Sequence, residues 1–143
     1  MELINKSGRR PDFVLFTGDL IHDTGRHDVH AHRMQLFKSI ARRINTAAIH
    51  IVPGENDAAL DGGVLYRGHF GKSYYSFDHK GVHFIALDNV SRGRLDVGPD
   101  QLAWLKPILD AIPKLRRSWF LLIDRLSTSS LNGNRSLPMA TTL

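Results

Sequence analysis

Residues 47–57 read AAIHIVPGEND. An apolar run ends at Pro53-Gly54 and passes at once into Glu55, Asn56 and Asp57. A short β-branched run closed by Pro-Gly reads as a buried strand ending in a turn. Upstream, FVLF (13–16) is a second such run, and it leads directly into TGDLIHDTG (17–25). Between the two lies a stretch with apolar residues at Val29, Leu36, Phe37, Ile40, Ala41 and Ile44 and with Arg and Lys on the other side. That spacing is helical. Strand, helix, strand in this order implies a right-handed βαβ unit with parallel strands, so the expected class is α/β.

Downstream, SYYSF (73–77) and VHFIAL (82–87) flank DHKG. Aromatic and β-branched runs around a glycine-bearing turn predict a β-hairpin. GPDQLAWLKPILDAI (98–112) predicts a helix, with Asp100 as N-cap and with Leu102, Leu105, Leu109 and Ile112 on one face. Pro107 falls inside that pattern and is expected to kink or shorten it. SWFLLI (118–123) could form a strand, whereas DRLSTSSLNGNRSLPMATTL (124–143) shows neither periodicity nor caps. The expected organisation is therefore a domain over 1–113 and a basic, irregular tail over 114–143.

The 143 residues suit one domain, and 42% hydrophobic with 23% charged residues is ordinary globular composition. No apolar run approaches the roughly 20 residues of a membrane span, and no secretory h-region opens the chain. The expectation is a chain without membrane association, cytoplasmic by default. The absence of cysteine excludes disulfides, thiolate metal sites and cysteine nucleophiles. The net charge of +5 invites a nucleic-acid reading, but five cations against Asp124 place +4 of it in residues 114–143. The body is nearly neutral, and no nucleic-acid partner is expected.

Two strand-to-helix turns carry acids: Asp19 after the first strand, Glu55 and Asp57 after the second. Ligands of open α/β sheets bind at the carboxyl ends of strands, and adjacent parallel strands would bring these carboxylates close together. Oxygen donors from separate loops suit hard divalent cations, or a mixed site completed by imidazoles. Asp and Asn are also ordinary turn residues after strands, and on spacing alone the two readings balance.

FTGDL (16–20) and VPGEND (52–57), one helix apart, resemble two central motifs of the calcineurin-like metallophosphoesterases. YYSFDHKGVHFIALDNV (74–90) and QLAWLKPILDAIP (101–113) resemble that family's hairpin and following helix. The resemblance covers about residues 10–113. It implies a partial four-layer α/β/β/α sandwich, a phosphoester substrate, and two divalent metal ions (Mn, Fe, Zn or Mg) that activate a water for in-line attack. Asp19 matches the metal-bridging carboxylate, and Glu55 falls where most members have a metal-binding Asn. Asn56 falls where the family has a histidine that protonates the leaving group or holds the phosphate; an amide has no proton to give near neutral pH. Asp57 matches the catalytic residue that orients that histidine. His22 and Asn56 are candidates for supporting contacts, although His22 also reads as a solvated loop residue. His27, His30 and His32 read as the exposed first turn of a helix, and His50 and His83 as strand residues that are packed or solvated rather than ligands. Asp88 is either a turn residue or a contact of the site.

The family's Asp-x-His precedes Gly-Asp; here only MELINKSGRRPD (1–12) does, and it resembles the end of the helix after the first strand. The family's later lone His and Gly-His-x-His are also missing. The expectation is a catalytically incomplete chain, with an exposed sheet edge open to self-association. The codons of Ser118 onward, read one frame over, permit VVFTHRPLFDL, which is similar to the family's stretch around its lone His. Residues from about Leu115 onward are therefore expected to be out of frame, which sequencing the coding DNA tests.

Overall fold

The computed structural model describes residues 2–6, 8, 11–22, 24–45, 47–93, 96–115 and 118–122. Five helices and five strands alternate among them. The order is α1 (Glu2–Lys6), β1 (Phe13–Phe16), α2 (His27–Ala41), β2 (Ala48–Ile51), α3 (Glu55–Ala58), α4 (Val64–Phe70), β3 (Tyr75–His79), β4 (Val82–Ala86), α5 (Pro99–Leu115) and β5 (Ser118–Leu122). The class is α/β, as the strand–helix–strand pattern implied. No helix among the described residues is long and apolar enough to cross a membrane.

β1 and β2 pair in parallel, with Phe13 opposite Ala48 and Phe16 opposite Ile51. Both strands are half-buried rather than fully enclosed, because among the described residues this sheet has two strands only. β3 and β4 form the expected antiparallel hairpin. Its two-residue turn places Lys80 at φ 45° and Gly81 at φ 80°. Both central residues of the turn thus have positive φ, which matches the right-handed twist of the flanking strands. β5 then pairs in parallel with β4, so Ser118–Leu122 of the SWFLLI run form a strand. The remainder of the predicted tail, residues 123–143, lies outside the described residues.

The sheets meet through Val52 and Ala86, with Leu15, Tyr75, Phe77 and Phe84 packed around them. His50 stacks flat on Phe77 at 3.6 Å between ring centroids, so of the two readings, packed or solvated, it is packed. The other side of β3–β4 is covered by α5: Ile85, Leu87 and Leu105 form a cluster flanked by Trp104 and Ile108. A third cluster of Met34, Ala58, Tyr66 and Val90 joins α2, α3 and α4 to Ile51 at the end of β2.

Several helix expectations need correction. In α2 the enclosed positions are His30, Met34 and Ala41, while Leu36 is 51% exposed. His30 is fully buried rather than exposed, because α4 and the turn after β2 cover the first turn of α2. In α5 the inward residues are Gln101, Trp104, Leu105 and Ile108; Leu102 and Leu109 face outward. The side chain of Ile112 lies outside the described residues. Pro107 does not shorten α5, which runs from Pro99 to Leu115. It sits on the exposed side, where water can bond the carbonyl that its missing N–H leaves unmet. The helix starts at Pro99, with the Leu102 N–H on the Gly98 carbonyl, so Asp100 lies inside the first turn. Proline suits that first position because its missing N–H is an orphan there.

Candidate functional site: two interlocked acidic turns

The turn after β1 is built on Gly18 at φ 102° and Asp19 at φ 50°. Asp is one of the few non-glycine residues that tolerates the left-handed region. This conformation reverses the chain at Asp19 and turns it against the segment leaving β2. The contact is close: a Cβ on Gly54 would lie 2.1 Å from the Asp19 nitrogen and 2.6 Å from its Oδ1. Only glycine fits there, which explains the Gly of VPGEND by space rather than by dihedral angle.

Hydrogen bonds then lock the two turns. Asp19 Oδ1 accepts the Asn56 N–H at 3.1 Å. Asp57 Oδ1 accepts the N–H groups of Leu20 (2.9 Å) and Ile21 (3.2 Å), and its Oδ2 accepts the Gly54 N–H at 2.8 Å. The Asp57 N–H returns to the Gly54 carbonyl at 3.0 Å. His30 Nε2 lies 3.0 Å from the Asp57 carbonyl oxygen, so α2 buttresses the same point. At the end of β2, the Tyr66 hydroxyl donates to the Ile51 carbonyl at 3.0 Å. The Tyr75 hydroxyl also donates to that carbonyl and accepts the Ile51 N–H, each at 2.9 Å.

The sequence candidates separate by exposure. Asp19 and Glu55 are exposed on neighbouring turns, and Asn56 is half-buried beside them. Asp57 is fully buried, with its carboxylate turned onto backbone donors. Burial pushes its pKa up to about 6 and the nearby Asp19 charge adds to this, while the amides of Gly54, Leu20 and Ile21 pull the other way. The His22 ring is exposed, and its carbonyl accepts the Arg33 guanidinium at 2.5 Å. Asp88 is a turn residue: Oδ1 accepts the N–H groups of Val90 and Ser91, and Oδ2 accepts the Ser91 hydroxyl. Gln101 brackets it from α5 by accepting the Asp88 N–H and donating to its carbonyl. The sequence reading missed both His30 and Gln101. The only available signal was the i, i+4 pairing of each with an apolar residue, Met34 and Leu105.

Two exposed carboxylates on converging turns suit a hard divalent cation. A two-metal centre needs more, and no group of three His, Asp or Glu side chains placed to hold a metal occurs among the described residues. This donor set therefore does not fit the two-metal centre implied by the resemblance.

The chain matches no curated protein. The family model described as calcineurin-like phosphoesterase matches residues 1–128, most of the chain's length and including both acidic turns and β5. That family points to metal-dependent hydrolysis of phosphoesters. This chain, with Gly18-Asp19 and Gly54-Glu55-Asn56-Asp57 interlocked at the ends of its parallel strands, belongs to the calcineurin-like phosphoesterase family.

Proposed function

We propose that Asp19 and Glu55 are the metal-binding carboxylates of a phosphoesterase site, and that this chain by itself hydrolyses phosphoesters slowly or not at all. The interlock of the turns carries the reading. The Asp19 carboxylate meets the backbone one residue past Glu55, and both acids remain open to solvent. The donor set supports the second half. Two carboxylates without converging imidazoles bind a divalent cation weakly. Asn56 offers amide hydrogens that can bond a phosphate oxygen, but no proton that can be transferred to a leaving group near neutral pH.

Asp57 acts in this reading as a positioning residue. Its oxygens are taken up by three amides from two loops, which fixes Asp19 relative to Glu55. His22 stands at the rim as a solvated loop residue.

Mn²⁺-dependent hydrolysis of p-nitrophenyl phosphate and of its bis ester tests the proposal. The expected rate is that of the buffer blank. Robust turnover that disappears in Asp19→Ala would overturn the claim of incompleteness. Calorimetry with Mn²⁺ tests the ligands separately: weak binding abolished by Asp19→Ala and reduced by Glu55→Gln is expected. Tight binding without turnover would instead make the chain a non-catalytic metal-binding module, and binding indifferent to both substitutions would remove the assignment.

A further inference from the structure

A second concave site lies away from the acidic turns, where the end of α4, the start of β3 and the first half of α5 meet. It is a cleft of about 480 Å³ lined by Arg67, Lys72, Ser73, the stretch 74–76 and Trp104. The register explains its make-up. Tyr75 and Phe77 point between the sheets, so Tyr74 and Ser76 point to the opposite side, under α5. There Tyr74 meets Trp104, with ring centroids 5.1 Å apart and planes tilted by 58°. The cleft thus combines an aromatic pair with two cations.

The chemistry of the lining is one-signed. Among the described residues no carboxylate lines the cleft. Many surface cations of this chain are paired with acids, including Lys6 with Glu2, Arg26 with Asp28, Lys80 with Asp12, Arg92 with Asp96 and Lys106 with Asp110. Neither Arg67 nor Lys72 has an ion pair among the described residues. Arg67 is nevertheless held: its Nη1 donates to the Gly62 carbonyl at 3.0 Å. That bond uses one of five guanidinium donors. The Ser73 and Ser76 hydroxyls add neutral donors. Guanidinium, ammonium and hydroxyl groups suit phosphate oxygens, and the face of an indole suits a planar ring. The volume falls within the range of small-ligand pockets.

We propose that this cleft binds a phosphate monoester carrying a planar ring, of the size of a nucleoside monophosphate. Arg67 and Lys72 hold the phosphate, and Trp104 stacks on the ring. The site is separate from the acidic turns and independent of any hydrolytic activity there.

Calorimetry of the full chain with adenosine 5′-monophosphate in the presence of a chelator tests this, with adenosine alone and inorganic phosphate alone as controls. Saturable binding of the nucleotide is expected, tighter than either control. Arg67→Gln and Lys72→Gln should each weaken it about tenfold, the effect of losing one charge-assisted hydrogen bond. Trp104→Phe keeps a ring and should keep most of the affinity, whereas Trp104→Leu should lose about tenfold. Asp19→Asn should leave the affinity unchanged, which separates this site from the acidic turns. The proposal is overturned by absence of saturable binding, by affinity indifferent to Arg67→Gln and Lys72→Gln, by inorganic phosphate binding as tightly as the nucleotide, or by loss of binding in Asp19→Asn. Unchanged circular dichroism across the variants ensures that each loss reports the cleft and not the fold.

Discussion

Gly54 is the residue on which the two turns depend. A methyl group there would sit 2.1 Å from a backbone nitrogen, and no rotamer change can relieve a clash with backbone. Gly54→Ala should therefore cost at least about 3 kcal/mol in urea unfolding, the upper range for overpacking, and should weaken any Mn²⁺ binding with it. An alanine variant as stable as the parent would show that the turns are not in contact. His50 makes a different prediction, about pH. Burial and the nearby His79 hold its pKa below the ordinary histidine value of 6.5. The unfolded chain then binds the proton more readily than the folded one. The neutral stack on Phe77 contributes fully above pH 6.5 and is lost as pH falls below it. His50→Phe keeps the stack without a titrating group, so its stability should fall less than the parent's on acidification from pH 7.5 to about 5.5. Parallel stability curves for the two proteins would contradict this. The acids of the site were legible in the sequence because Gly-Asp and Gly-Glu-Asn-Asp each follow an apolar run. Which acid faces water was not legible, since Glu55 and Asp57 differ only by the turn of a four-residue helix.

At the scale of elements, the strands and the hairpin follow from local pattern, and the errors lie in which helix face turns inward. Leu36 and Leu102 are apolar yet exposed, while His30 and Gln101 are polar yet buried. A periodicity count ranks residues by hydrophobicity, whereas burial is set by where a neighbouring element happens to lie. His30 is enclosed because its ring meets the Asp57 carbonyl, and Gln101 because it bonds both backbone groups of Asp88. The polarity of each is met by a partner that sequence spacing cannot locate. α5 yields a test of its own. Pro107 lies in the middle of a continuous helix and leaves one carbonyl without its helical donor. Pro107→Ala should restore that bond and stabilise the protein by about 1–3 kcal/mol in thermal or urea unfolding. Destabilisation would mean that the ring itself packs against a neighbour.

For the whole molecule, the small parallel sheet matters most. β1 and β2 pair only with each other among the described residues, and a two-stranded sheet is marginal by itself. Its stability comes from packing on β3–β4 through Leu15, Val52, Phe77 and Ala86. Among the described residues no further strand pairs with its outer edges. We expect the chain to self-associate through such an edge, seen as a mass that rises with concentration in light scattering. A constant monomer mass over the accessible concentrations would argue against it.

The order of residues was enough to establish the α/β class, the parallel pair, the hairpin and the two acidic turns. Each rests on a local pattern in the chain: the period of its apolar residues, or a glycine or proline at a strand end. Folding decided the rest. It buried Asp57 on three amides from two separate loops and left Asp19 and Glu55 in water. It also brought Arg67 of α4, Lys72 of the loop before β3 and Trp104 of α5 to one cleft. These outcomes depend on groups up to 37 positions apart in sequence. Burial and hydrogen bonding at such distances are properties of packed elements, and no single stretch of sequence contains them.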